Sequence, residues 1–396
     1  MSAPAIVVVG AGPAGVAAAC RAAGCGRRVV LLDDNPAPGG QIWRGDRQQR
    51  WLARLADSGV EVRCGTTVSG LELPGATTIL ATGARELFLP FPGWTSPGVT
   101  GAGGLQALIK SGFSIAGKRV VVAGSGLLLP AVASLVRKSG GSVVLIAEQT
   151  SAMNMAAFAA ALLSRPEKLA QSAEAALSLL GVPYFTRCVV ESFDGGRVRL
   201  RRGNAIFECD TDYLASGFGL VPNTELAALL GCRLLAGAVE VDEFQQTTVA
   251  GVYAAGELTG IGGVEKSLVE GEIAGLAAAG AVDEARALFG RSRRARRFSA
   301  ALNRAFALDG GLRALPRDET LVCRCEDVSH SRLKGLASWR QAKLHTRCGM
   351  GPCQGRVCAA AAQFLYGWND QSPRPPVFPV PAGLLADPGS FEGEPT

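Results

Sequence analysis

The sequence predicts an α/β protein built from two strand–glycine-turn–helix units, followed by a small cysteine-bearing module. Three observations carry this. Apolar runs at residues 5–9 and 120–123 lead directly into glycine-rich turns, Gly10-Ala-Gly12-Pro13-Ala14-Gly15 and Gly124-Ser-Gly126. Glycine is abundant, 51 of 396 residues, and gathers at turns that follow such runs. Five of the eleven cysteines fall between Cys323 and Cys358. With 48% apolar residues, a chain of this length can bury two or three separate cores.

Residues 5–9 are continuously apolar and β-branched, as in a strand buried on both faces of a parallel sheet. The Ala-rich 14–24 segment is a helix. Arg28–Leu32 is a second strand, ending in Asp33 with Asp34 beside it. Strand, G-x-G-x-x-G, helix, strand and acid in that order form the dinucleotide fingerprint in its required context. Gly10 allows the turn, Gly12 lets a pyrophosphate approach the backbone, and Gly15 lets helix and strand pack closely. Asp33 can accept hydrogen bonds from a ribose. The bland alternative is a glycine-rich turn in an unrelated α/β fold.

Lys118–Ala123 opens the second unit, with a strand at Ser142–Ile146 and Glu148 near its end. Leu129 stands where the third glycine belongs, and Pro130 suits only a first helical turn. The unit therefore reads as a Rossmann-like fold with a degraded NAD(P)H site. That site is either vacant or holds a second nucleotide such as ATP, or FMN at a subunit interface. Residues 151–180 read as two helices separated near Pro166, and residues 182–215 as short strands turning at Asp194–Gly196. Residues 285–318 are basic and helical, a connector or partner surface. The Pro-rich tail is extended chain, ordered where it lies on a surface.

The cysteine module reads Cys323-Arg-Cys325 and, after 27 intervening residues, Cys353-Gln-Gly-Arg-Val-Cys358. Four thiolates hold an iron–sulfur cluster. Gly349, Gly351 and Gly355 give the backbone freedom to fold tightly, and a helix beginning near Cys358 would favour a negatively charged cluster. Cys323, Cys325, Cys353 and Cys358 are taken as ligands and Cys348 is left out. A four-thiolate zinc site is the rival, although the spacing departs from the usual zinc pattern. Cys20, Cys25, Cys64, Cys188, Cys209 and Cys232 stand singly among apolar residues and read as buried small hydrophobes. His330 and His345 read as local hydrogen-bonding groups.

Net charge is +6, concentrated in Arg291-Ser-Arg-Arg-Ala-Arg-Arg297. No aromatic residues interleave with these arginines, so nucleic acid is set aside as a partner. No apolar stretch is long enough to span a membrane. The N-terminal run is too short for a signal peptide. Eleven cysteines without regular pairing suit a reducing compartment, so the expected location is cytoplasmic. Any association with the inner membrane would be peripheral.

Gly39-Gly40-Gln41 and Thr78-Ile-Leu-Ala81-Thr82-Gly83 resemble the two-dinucleotide-binding-domain flavoproteins of the glutathione reductase-like class. Asp212–Glu225 resembles that family's second exit segment. Gly251-Val-Tyr-Ala-Ala-Gly256-Glu257 matches its late FAD motif, with Glu where Asp is commoner. Gly263 would precede a helix facing the isoalloxazine. The resemblance implies FAD in the first fold, and Gly65–Ala76 is short for the family's β-meander. Thr346-Arg-Cys-Gly-Met-Gly-Pro-Cys-Gln-Gly-Arg-Val-Cys358 and Phe91-Pro-Gly-Trp-Thr-Ser-Pro-Gly98 are similar to the α subunits of bacterial hetero-oligomeric amino-acid dehydrogenases. That group includes opine oxidases, hydrogen cyanide synthase, dye-linked proline dehydrogenase and D-hydroxyproline dehydrogenase. In it the position of Cys348 is not a fixed cysteine.

The resemblance implies a bacterioferritin-associated-ferredoxin-like [2Fe–2S] module on a two-domain flavoprotein. The implied plan is FAD domain at 1–103 and 221–288, degenerate NAD(P) domain at 104–220, basic connector at 289–318, cluster module at 319–370 and tail at 371–396. The implied partners are a respiratory or artificial electron acceptor, a D-amino-acid-oxidase-like flavoprotein β subunit, and a small third subunit. Alternatives are a stand-alone NAD(P)H-dependent acceptor reductase and a non-enzymatic redox-sensing or cluster-handling protein.

Overall fold

The computed structural model describes residues 6–45, 49–70, 77–162, 177–369, 373–380 and 382. The chain forms two compact units. The first comprises Met1–Arg85, Val221–Ala300 and Gln371–Thr396, the second Glu86–Leu220 and Ala301–Asp370.

In the first unit, β1 (Ile6–Val9) leads into α1 (Pro13–Gly24), followed by β2 (Val29–Leu32), β3 (Glu61–Arg63) and β4 (Thr78–Leu80). The chain returns later as β5 (Val252–Ala254) and α2 (Val264–Ala279). The strands pair in parallel in the order β5-β4-β1-β2-β3. All four residues of β1 are buried, which is why its sequence is continuously apolar rather than alternating. The Ala-rich face of α1 admits α2 at backbone contact. A Cβ on Gly271 would lie 2.1 Å from the Ala14 carbonyl oxygen, and one on Gly275 would lie 2.2 Å from that of Ala18. Glycine at these two positions is therefore a packing requirement.

The second unit has its own parallel sheet, running Val99–Gly101, Tyr213–Gly217, Arg119–Gly124, Ser142–Glu148, Tyr184–Thr186 across its width. A three-stranded antiparallel meander of Cys188–Asp194, Arg197–Arg202 and Ala205–Asp210 accompanies it. Leu129, in the helix Leu128–Lys138, is fully buried with Val132 and Val136 against Val120, Val122 and Ile146. Its side chain fills the space that a third glycine would have closed.

The cysteine module belongs to this unit. It contains the pair Leu321–Cys323 and Val328–Ser329 and helices that we number after the basic helix α3 (Phe289–Ala305): α4 (Trp339–Thr346) and α5 (Cys358–Tyr366). Its small core gathers Val322, Val328, Leu333, Trp339 and Trp368. Trp94 Nε1 donates to the Leu321 carbonyl at 2.6 Å and ties the module to the rest of its unit.

Several expectations change. Cys25 is exposed rather than buried, because it caps the C-terminus of α1 beyond the last packed turn. Cys20, Cys64 and Cys209 are half-buried, whereas Cys188 and Cys232 are buried. Part of the basic helix is engaged within its own unit: Arg291 pairs with Glu272 and Arg296 with Glu270. Val377 of the tail is buried, its N–H donating to Ser69 O at 2.9 Å. The break near Pro166 lies outside the described residues.

Candidate functional sites: a dinucleotide cradle and a thiol nest

The first site lies at the carboxyl ends of β1, β2, β4 and β5. Gly10 has a φ of 102°, and a Cβ there would lie 2.3 Å from Ala81 O. A Cβ on Gly15 would lie 1.7 Å from Gly10 O, so only glycine lets α1 start this close to β1. Gly12 has nothing within 4 Å of its Cβ position and leaves the turn open beside Pro13. Asp33 is buried, accepting from Ala11 N and, at 2.7 Å, from Asn35 N. Asp34 is exposed and accepts from Asn35 Nδ2. Gly39 N donates to Ala11 O at 2.8 Å, and a Cβ on Gly40 would lie 3.0 Å from Gly12 Cα, so the 39–40 turn closes over the glycine loop. Gln41 is exposed.

The Ala81-Thr82-Gly83 segment leaves β4 and is held by Asn223. Thr82 Oγ1 donates to Asn223 O, Asn223 Nδ2 donates to Thr82 O, and Asn223 N donates to Gly83 O, at 2.8, 2.9 and 3.0 Å. After β5, Gly256 turns with a φ of 85° against Ala14. Glu257 accepts from Gly262 N at 3.1 Å and Gly263 N at 2.6 Å, placing its carboxylate at the entry to α2. Burial raises the pKa of Glu257, and the Lys266 ammonium partly offsets that rise.

Sequence reasoning missed the group beneath this turn. Lys266 is 4% exposed and donates to Gly256 O, Thr259 Oγ1 and Glu270 Oε2 at 2.8, 2.8 and 2.7 Å. Glu270 is fully buried, and its other oxygen accepts from Arg296 at 3.1 Å. The signal was available: the pair sits on the same helix as Gly271 and Gly275, whose small size marks a buried face.

The second glycine loop is arranged differently. Glu148 is buried and accepts from Gly126 N and Thr150 N, both at 2.9 Å, and burial raises its pKa. Ser125 Oγ donates to Phe306 O at 3.2 Å, and Gln149 Nε2 donates to Ala307 O at 3.1 Å. Asp309 N donates back to Gln149 Oε1 at 3.2 Å. The chain's own 306–309 segment thus covers the strand ends where a Rossmann unit receives its ligand.

The five cysteines of the module form two groups. Cys323, Cys348 and Cys358 are buried with their Sγ atoms within 4.8 Å of one another. Cys325 is exposed and hydrogen-bonds to the half-exposed Cys353. Of the ligand candidates, Cys323 and Cys358 therefore meet each other, Cys325 meets Cys353, and Cys348 joins the first group. Hydrogen bonds from Cys348 and then Cys358 hold the Cys323 thiol far below its usual range, and Gly349 N donates to the same sulfur at 3.4 Å. His330 Nδ1 lies 2.6 Å from the Tyr366 hydroxyl, a local side-chain contact.

The nest suits an iron–sulfur centre on two counts besides its thiols. A Cβ on Gly349 would lie 2.4 Å from Trp339 Cζ2, and one on Gly351 would lie 2.4 Å from Cys325 Cβ, so both glycines let the loop close. Trp339 is 3% exposed, and its indole Nε1 is buried without a hydrogen-bond partner. Trp339 packs in the same small core as Cys323, Cys348 and Cys358, and an unpaired buried N–H there is a group that a cluster sulfur would satisfy.

This geometry defines a flavoprotein-type oxidoreductase. The model for FAD dependent oxidoreductase matches residues 5–48, and that for pyridine nucleotide-disulphide oxidoreductase matches residues 58–280. The chain belongs to the pyridine nucleotide-disulphide oxidoreductase family. It is 32% identical to an opine oxidase subunit of Rhizobium meliloti strain 1021, covering 96% of this chain and 98% of that one. It is 30% identical to hydrogen cyanide synthase subunit HcnB of Pseudomonas aeruginosa PAO1, covering 97% and 98%. Among solved structures, L-proline dehydrogenase from P. horikoshii superposes with a TM-score of 0.65 at 19% identity, covering 96% of this chain and 79% of that one. Thioredoxin reductase of Lactococcus lactis gives 0.56 at 20% identity, covering 71% and 100%. Among the described residues no helix is long and apolar enough to cross a membrane.

Proposed function

We propose that this chain is the electron-transfer subunit of a hetero-oligomeric dehydrogenase that oxidises an amino or imino acid such as D-hydroxyproline or an opine. In this reading it receives electrons from the flavin of a D-amino-acid-oxidase-like partner subunit, delivering them to a respiratory or artificial acceptor. The observation that carries it is a nest of five thiols in the same chain as an FAD-type cradle. The names of its relatives, subunits of opine oxidase and of hydrogen cyanide synthase, support a partnered role.

The residues divide the work. Gly10, Gly12 and Gly15 open the loop and the α1 N-terminus to the pyrophosphate of FAD. Asp33 would accept from the ribose, and Glu257 would meet the ribityl and pyrophosphate region. Lys266 fixes the Gly256 turn that presents Glu257. Cys323, Cys325, Cys353 and Cys358 are the proposed thiolates for a [2Fe–2S] centre. FAD and such a centre, when bound, together supply the change between two-electron and one-electron chemistry.

A stand-alone NAD(P)H-dependent reductase is the second reading, favoured by Glu148 at the position of a ribose-binding acid. The 306–309 segment, held by Ser125 and Gln149 over the strand ends, weighs against it. Anaerobic purification after co-expression with a candidate partner subunit tests both. We expect iron and acid-labile sulfide, flavin reduction by the amino-acid substrate in the complex, and none by NADH alone. Iron-free or zinc-bearing protein, or rapid bleaching by NADH, would overturn the proposal.

A further inference from the structure

A [2Fe–2S] centre takes two thiolates on each iron. Cys325 and Cys353, hydrogen-bonded to each other, make one such pair. The other iron must draw two ligands from three buried sulfurs, Cys323, Cys348 and Cys358, each within 4.8 Å of the other two. Cys323 is the fixed member of this trio. It ends the strand Leu321–Cys323, is separated from Cys325 by Arg324 alone, and already accepts the Gly349 N–H. Cys348 and Cys358 are not separated by burial, at 0% and 1% exposed. Cys348 follows the end of α4, and Cys358 opens α5.

Resting on the [2Fe–2S] reading above, we propose that Cys348 and Cys358 are interchangeable ligands of the buried iron. The fifth thiol is then a resident reserve for the cluster. The exchange balances without any redox partner: one thiolate leaves the iron and takes up a proton, while the other thiol gives up a proton and binds. Iron valence and the charge of the centre are unchanged. The benzene edge of Trp339 lies against the loop carrying Gly349 and Gly355, between Cys348 and Cys358, and its indole N–H is buried without a partner.

The test uses the full chain, purified anaerobically as wild type, C348A, C358A, C348A/C358A and C323A. Iron and acid-labile sulfide are measured per bound flavin, and the dithionite-reduced proteins are examined by low-temperature EPR. We expect each single variant at 348 or 358 to retain more than half of the wild-type iron, with g values that differ between the two. The double variant and C323A should lose iron about tenfold. Loss of iron in C358A to the level of the double variant, with the C348A spectrum identical to wild type, would overturn the exchange; so would the mirror result. Iron-free wild-type protein would instead remove the cluster reading itself and the exchange with it. A variant that loses flavin as well as iron is repeated with serine, which keeps the volume of the site.

Discussion

Replacing Lys266 by Met keeps the apolar stem of the side chain, one atom shorter, and removes its charge. The ammonium makes three hydrogen bonds in a site where Lys266 is 4% and Glu270 0% exposed. Its loss leaves the Gly256 carbonyl without this donor and Glu270 with less than its full complement of positive charge. Breaking a buried pair by removing one partner costs roughly 3–5 kcal/mol, because the remaining charge is left uncompensated. Here the lower end applies, since Arg296, Thr259 and Gly256 N still donate to Glu270. A loss of about 3 kcal/mol is on the order of a hundredfold in the folding equilibrium. The assay is urea unfolding followed by flavin fluorescence. K266M should unfold at lower urea and release FAD earlier, while K266M/E270Q should recover part of the loss because no buried charge then stands alone. Should K266M cost under 1 kcal/mol, or the double variant fall below the single one, the buried ion pair is not what holds the Gly256 turn.

Two further outcomes follow from the same geometry. Gly15→Ala places a Cβ 1.7 Å from Gly10 O, a backbone atom that cannot swing aside. Overpacking of this kind costs about 1–3 kcal/mol, and FAD content measured by visible absorbance should fall about tenfold; normal flavin loading would contradict the assigned role of the turn. Glu148→Gln tests the raised pKa of that buried acid. A carboxyl whose folded pKa exceeds its unfolded value contributes stability in full below about pH 4.3, and this is lost as pH rises through the folded value. Wild type should therefore lose stability relative to E148Q on going upward from about pH 4. Parallel curves for the two proteins would show that Glu148 pays no burial cost.

The parts of the fold legible from sequence are those where local chemistry leaves one solution. β1 reads as a buried parallel strand because all four of its residues are apolar and β-branched, and the structure buries all four. The turn at Gly10 reads clearly because its φ of 102° admits glycine alone at low cost. The Lys266–Glu270 pair was illegible because an i,i+4 Lys/Glu pair on a helix usually faces solvent, and only contact with α1 and α3 makes it buried. Leu129 signalled a changed second unit. What replaced the lost fit, a loop from residues 306–309 meeting Ser125 and Gln149, depends on contacts some 160 residues apart that no local pattern encodes. The meeting of Cys348 with Cys323 and Cys358 is equally non-local: which thiol meets which is decided by how α4 and α5 return to the Leu321–Cys323 strand.

The embrace of α1 by α2 has a consequence for synthesis. Arg21 and Glu272 lie 251 positions apart in the chain. At about 5–20 residues per second, the ribosome needs on the order of 10–50 s to deliver the second helix after the first. Through that interval β1 and α1 are outside the exit tunnel with one flank bare. The groove that receives the nucleotide is thus completed only once most of the polypeptide has been made.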